Sequence, residues 1–226
     1  MCGRYSQTSG GDTVAAAFGL AEIPEIQPRY NIAPTQQVSA VAVRRGERLH
    51  RPLQWGLVPN WADPSIGKRL INARAETVGE KPAFQAAYRS RRCLVVADGF
   101  YEWQRQEEGP KQPYYFHLQG GAPFGFAGLW ERWRHPGGGH IQSCVIITTE
   151  ANQLVAPIHH RMPVILDAAD YEAWLDHDYF DPGHLQSLLR PLGAEAMTGY
   201  AIATTVNNPA NDSPDCIKPL EESTAE

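Results

Sequence analysis

Cys93-Leu94-Val95-Val96-Ala97-Asp98-Gly99-Phe100-Tyr101-Glu102-Trp103 is the stretch from which the fold is read. Its first five residues form a short apolar, valine-containing run of the kind that makes strands. Asp98-Gly99 is a break signal, and the aromatic stretch closing the strand leaves one carboxylate, Glu102, at the edge of an apolar element. Working outward, β-type runs recur at residues 37–43, 113–118, 124–129, 142–148, 162–166 and 200–204. Helical patterns are fewer, at residues 12–18, 82–89, 168–176 and 183–189, with Asp12 and Asp167 placed as N-caps. The strands are not interleaved regularly with long helices, which argues against a doubly wound parallel sheet. The pattern predicts an α+β fold, a single domain with a mainly antiparallel, barrel-like β-sheet core and a few flanking helices. Gly and Pro are spread along the chain rather than pooled in a linker, so one domain is expected over residues 1–220, with 221–226 as a frayed acidic tail.

The 226 residues are 42% hydrophobic and 20% charged, enough to bury a sizeable core, which excludes disorder, collagen and coiled coil. A net charge of −5 argues, at face value, against a nucleic-acid binder. The sum hides a local excess: between Ala42 and Arg92 eleven basic side chains stand against four acidic ones, +7 in one stretch. That stretch contains Trp55 and Trp61, aromatic platforms on which bases can stack. It reads either as a cationic binding face or as a solvated face over core tryptophans. No basic flank with an apolar h-region opens the chain and no run approaches about 18 apolar residues, so an intracellular protein without a membrane partner is expected. The four cysteines, Cys2, Cys93, Cys144 and Cys216, form no CxxC pair and have no histidine at zinc-finger spacing; neither metal nor cofactor is expected. In a reducing compartment each thiol stays free, as a small buried hydrophobe or as a reactive group.

Met1-Cys2-Gly3-Arg4 carries the chemistry. Once the initiator methionine is removed, Cys2 offers a thiol and an α-amine on adjacent carbons. The α-amine has a reference pKa of about 7.7–8.0 against about 10.4 for lysine, so far more of it is unprotonated at neutral pH. It forms an imine with an aldehyde, the thiol adds to the imine carbon, and a five-membered thiazolidine ring results. Three further segments place a polar group at the edge of an apolar element: 71–77 with Asn72, 98–103 with Glu102, and 157–163 with His159 and His160.

With these pieces the sequence resembles the SOS-response-associated peptidase family, whose members are abasic-site processing proteins that cross-link themselves to abasic sites in single-stranded DNA. The matching pieces are Met1-Cys2-Gly3-Arg4-Tyr5, Tyr30-Asn31-Ile32-Ala33-Pro34, Trp55-Gly56-Leu57-Val58-Pro59, the Asn72, Glu102 and His159 segments, and Val206-Asn207-Asn208. They occur in the family's order across nearly the whole chain. The resemblance implies that Cys2 is the nucleophile and Glu102 the general acid/base, its pKa lifted by the aromatic neighbours. It implies that His159, directly after the isoleucine of Ile-His-x-Arg-x-Pro, assists sugar ring opening, and that Asn72 fixes the cross-linked sugar and the cysteine amide. From the residues alone, which of the two histidines faces a site stays open. Arg4 and Arg74 are the phosphate-contact candidates and Trp61 the base-stacking one, with Thr148, Asn207 and Asn208 lining the pocket. Cys93, Cys144 and Cys216 are expected to pack inertly. The implied partner is single-stranded DNA containing an abasic site, bound by a monomer with weak sequence preference. The imine also permits strand cleavage by β-elimination, and the peptidase activity of the family's name is read as self-removal of Met1.

Two other classes compete. Met-Cys-Gly also opens the amidotransferases of the N-terminal-nucleophile class, whose oxyanion-hole Asn-Gly occurs nowhere in this chain. A non-catalytic single-stranded nucleic-acid-binding module would bind in a salt-sensitive way without regard to the lesion.

Overall fold

The computed structural model describes residues 2–220; the expected acidic tail, 221–226, lies outside the described residues. In chain order the strands are β1 (Tyr5–Gln7), β2 (Arg29–Ile32), β3 (Gln37–Arg44), β4 (Glu47–Trp55), β5 (Asn72–Arg74), β6 (Arg92–Ala97), β7 (Gly99–Gln104), β8 (Gln112–Leu118), β9 (Phe124–Arg134), β10 (His140–Glu150), β11 (Arg161–Pro163), β12 (Ile165–Leu166) and β13 (Met197–Ala201). The α-helices are α1 (Gly11–Phe18), α2 (Pro82–Ser90), α3 (Tyr171–Leu175) and α4 (Pro182–Leu188). No described helix is long and apolar enough to cross a membrane.

β10, β4, β3, β6 and β9 pair in turn, and β9 pairs back onto β10, closing a five-stranded barrel. The closure is mixed, because β4 and β5 run parallel to β10 while the other pairings are antiparallel. A second sheet, β13-β8-β7-β1-β2, is antiparallel throughout. The α+β, barrel-like architecture read from the sequence is the one observed.

β6 explains why its apolar run lacks alternation. Successive side chains of a strand point to opposite faces, and here both faces are covered. Leu94 and Val96 enter a cluster with Phe18, Phe84, Tyr88 and Trp174 from the helices. Cys93, Val95 and Ala97 enter a second cluster with Tyr5, Trp55, Phe100 and Phe116, where the barrel meets the antiparallel sheet. At β3–β4 a two-residue turn, Arg45-Gly46, has φ of 54° and 80°, the pair of positive values that a type I′ hairpin needs. Gly56 then takes φ of 128°, and a Cβ there would lie 2.4 Å from the Gly67 carbonyl oxygen, so only glycine lets the chain loop back toward β5.

Three local expectations are corrected. Asp12 lies inside the first turn of α1, already helical, and Gly10 holds the cap position without a side-chain bond. Asp167 precedes a 3-10 turn, Ala168–Asp170, but makes no capping bond; the expected 168–176 helix is that turn followed by α3. The carboxylate that does cap is Asp181, accepting from Gly183 N at 2.9 Å and His184 N at 3.1 Å at the start of α4.

Candidate active site

The chain enters the fold at the seam between the two sheets. Cys2 is fully buried, in the same cluster as Tyr5 and Trp55. The register that pairs Tyr5 with Phe100 is extended by the Tyr101 N–H donating to Arg4 O at 3.1 Å. Continued one residue further, it sets Gly3 beside Glu102. From the barrel side, Asn72 Nδ2 donates to Cys2 O at 2.7 Å, because β5 lies on β10 with Asn72 opposite Ile146. Asn72 Oδ1 is buried and has no hydrogen-bond partner among the described residues, which leaves an acceptor available to a ligand. Burial, reinforced by the Glu102 charge, pushes the Cys2 thiol far above its ordinary pKa, so it is a neutral S–H at physiological pH.

Glu102 is not at a strand edge. β7 starts at Gly99, so Glu102 is mid-strand and 3% exposed. By strand alternation it shares a face with Phe100, while Tyr101 and Trp103 face the other way. Desolvation raises its pKa to about 7. His159 Nδ1 lies 3.9 Å from Glu102 Oε1. His159 sits on the 151–160 loop, which is closed by Ala151 N–H donating to His160 O at 3.2 Å and by His159 N–H donating to Val155 O at 2.9 Å. The Arg161 N–H donates to its Nδ1 at 3.0 Å, the His160 ring lies tilted by 30° with its centroid 4.5 Å away, and burial lowers the imidazole pKa. Cys2, Asn72, Glu102 and His159 are thus brought together from β5, β7, the 151–160 loop and the chain end.

The outer candidates divide. Arg74 is exposed, two residues along β5 from Asn72 and on the same strand face. Trp61 is 66% exposed on the loop after β4. Arg4 is half-buried, its Nη1 donating to Asn31 Oδ1 and Val206 O, both at 2.7 Å, and its Nη2 to Asn207 O at 3.3 Å. With Gly3, Trp103, Lys111 and Asn207 it lines an open groove of about 420 Å³. Asn207 Oδ1 accepts from Trp103 Nε1 at 2.7 Å, and Asn208 Oδ1 accepts from Ala210 N at 3.1 Å in an exposed turn.

Two expectations fail on burial. Trp55 is fully buried with Nε1 donating to Ile71 O at 2.8 Å, so it is core and no stacking platform. Thr148 is also fully buried, on β10 beside β5 with its hydroxyl donating to Ala73 O at 3.3 Å, and it is not among the residues that line the groove. Cys93, Cys144 and Cys216 are buried free thiols, as read. The supporting residues Arg161, Glu76 and Asn31 lie within the same sequence motifs. Arg161 grips both Glu76 oxygens, at 2.6 and 3.0 Å, and Thr148 O at 2.6 Å, which ties His159 to the turn after β5. The two N–H groups of Asn31 Nδ2 are shared among Val206 O, Asn208 O and Asn211 O at 3.1, 3.1 and 2.7 Å, and hold the C-terminal strap over β2.

The fold and site define a class: a small mixed barrel that buries a chain-end cysteine between an amide, a carboxyl of raised pKa and an imidazole. The family model for SOS response associated peptidase (SRAP) matches residues 1–209, and the chain belongs to that family. Abasic site processing protein YoqW of Bacillus subtilis is 42% identical over 222 residues, covering 96% of this chain and 99% of that protein. Abasic site processing protein HMCES of Pongo abelii is 32% identical over 274 residues, covering 98% and 77%. A crystal structure of a protein from Bacteroides thetaiotaomicron superposes with a TM-score of 0.87 at 28% identity, covering 97% of this chain and all of that one.

Proposed function

We propose that this protein processes abasic sites in single-stranded DNA inside the cell by joining its own chain end to the lesion. The observation that carries this reading is the buried Cys2, its carbonyl fixed by Asn72 and its thiol in the field of Glu102. Two relatives that match nearly the whole chain bear the name abasic site processing protein, which supports the same substrate.

Removal of Met1, by the protein itself in this reading, frees the Cys2 amine. The thiol is held neutral by burial, so the amine attacks first. Its nitrogen bonds to the aldehyde carbon of the ring-opened sugar to give a carbinolamine. Glu102, with a pKa of about 7, protonates the leaving hydroxyl, one water departs, and an imine forms. The S–H then adds across the C=N bond, sulfur to carbon and proton to nitrogen, closing the thiazolidine. His159 Nε2 serves the sugar hydroxyl during ring opening, and the unpartnered Asn72 Oδ1 accepts from the bound sugar or ring nitrogen. Removal of a C2′ proton from the imine, forming the C2′–C3′ double bond as the 3′ phosphate leaves, is a minor lyase branch.

A denaturing gel tests this. Processed wild type incubated with single-stranded DNA carrying one abasic site is expected to give a retarded, denaturant-stable band that Cys2→Ala loses. Mass spectrometry of the purified protein is expected to show a chain starting at Cys2. Absence of the wild-type band, or an undiminished stable band with Cys2→Ala, overturns the covalent reading. Binding that disappears in denaturant is the outcome of a non-catalytic binding module.

A further inference from the structure

Arg4 does not present a free fork to the groove it lines. Three of its bonds go to Asn31, Val206 and Asn207, so two of the five guanidinium N–H groups remain. The groove has a second cation. Lys111 lines it with Gly3, Arg4, Trp103 and Asn207, and it is exposed. Its position follows from the β7–β8 hairpin, in which Glu102 faces Tyr114 and Gln104 faces Gln112, so Lys111 stands just outside the paired strands, at the mouth of the hairpin that carries Glu102. Among the described residues Lys111 forms no ion pair. Glu107 and Glu108, on the same hairpin loop, do not line the groove.

The walls of that groove are fixed before any ligand arrives. Trp103 is tied to Asn207, the Arg4 guanidinium lies 5.9 Å from the Trp103 ring centroid, and Asn31 anchors the strap that carries Asn207. A flexible ammonium at the rim of a rigid groove is suited to a phosphate as a point charge, because it can follow the backbone without bidentate geometry. Arg74 offers the corresponding charge from the barrel, two residues beyond Asn72. Arg74 and Lys111 are thus exposed cations on the strand that carries Asn72 and on the hairpin that carries Glu102.

We infer that Lys111 is a phosphate-binding residue for the nucleotide next to the lesion, and that the groove of Gly3, Arg4, Trp103, Lys111 and Asn207 is the exit path of the strand on the hairpin side. The inference rests on the single-stranded DNA reading above. The Lys111 charge also acts on Glu102 and His159, lowering the pKa of each, which agrees with a position at the site mouth.

The test uses the full-length protein and single-stranded DNA with a tetrahydrofuran abasic analogue, which has no aldehyde and reports binding alone. Kd is measured from 50 to 200 mM salt for wild type, Lys111→Gln, Lys111→Arg and Lys81→Gln, the last an exposed lysine at the N-cap of α2. A single-strand phosphate contact contributes about −0.7 to the log–log salt slope. Lys111→Gln is expected to flatten the slope by about that amount and to weaken binding several-fold at 50 mM salt. Lys111→Arg is expected to retain the slope and Lys81→Gln to leave it unchanged. Wild-type binding with an unaltered slope in Lys111→Gln overturns the Lys111 assignment alone. No wild-type binding at any salt overturns the DNA reading and this inference with it.

Discussion

Glu102 is the residue at which chemistry and stability pull apart. Its folded-state pKa of about 7 stands above the value of about 4.5 of an exposed glutamate. Below that lower value both the folded and unfolded chains hold the proton and the group carries no penalty. As pH rises from about 4.5 to 7 the unfolded chain ionises first, so the stability contributed by the neutral form is lost, and the full penalty is present above 7. A shift of that size corresponds to on the order of 3 kcal/mol. Glu102→Gln removes the buried charge and keeps the shape. Melting curves are expected to show the variant several degrees more stable than wild type at pH 8, with the gap closing toward pH 4.5. In the same variant adduct formation is expected to slow by about 100-fold, the scale of a lost general acid. An equal stability gap at both pH values removes the buried charge as its cause.

At the scale of elements, the site depends on a strap that no local pattern announces. Residues 204–211 are held over β2 by Asn31, which is fully buried and satisfied at both ends of its amide. Asn31→Ala takes the amide away from Val206 O, Asn208 O and Asn211 O, each of which keeps another donor, and leaves one Arg4 N–H without its acceptor, a destabilisation of about 1–3 kcal/mol. Hydrogen exchange is expected to speed up first at Val206–Asn211, with weaker DNA binding as the groove wall loosens. Uniformly faster exchange across the barrel would show that Asn31 serves only the global fold. The elements that the sequence reveals are those whose own side chains make the case: β3, β6, β8 and β10 are apolar runs whose ends lie within two residues of those observed, and β9 starts as expected but runs five residues further. β1, β2, β5 and β7 were missed as strands. β1 and β5 are three residues long, and β7 starts on the glycine of a turn signal and carries a buried acid in its middle. β4 was missed because its outward residues are Arg48, His50 and Pro52, and only the Arg45-Gly46 turn and pairing with β3 make it a strand. Barrel closure by β4 running parallel beside β10, Gln54 opposite Ser143, is a long-range fact that no window contains. The four central residues were legible through ordered motifs, whereas the burial of Thr148 and Trp55 depends on which strand lies beneath them.

At the scale of the whole molecule, the +7 stretch does not become one face. Arg92 is buried, donating to Tyr88 O and Arg89 O at the end of α2 and to Trp174 O at the end of α3, where the helix carbonyls favour a cation. Arg91 pairs with Glu131 at 2.9 Å, Arg48 donates to Phe18 O at 3.1 Å, and Arg51 lies 4.2 Å from the Trp130 ring centroid. A count along the chain sums charges that the fold sends to different places. Of that stretch Arg74 stands two residues from Asn72, and from outside it Lys111 and the remaining donors of Arg4 line the groove. An acidic protein with two or three phosphate contacts is expected to have a salt slope of about −1.4 to −2.1 on a lesion-free single strand. That corresponds to a loss of roughly seven- to twentyfold in affinity between 50 and 200 mM salt, whereas eleven cations acting together would lose more than about 10⁴-fold. A titration of wild type across that range decides between the two: a slope steeper than about −4 would mean that the dispersed arginines act as one field after all. A shallow slope instead assigns retention of the lesion to the covalent bond, with electrostatics limited to placing the strand.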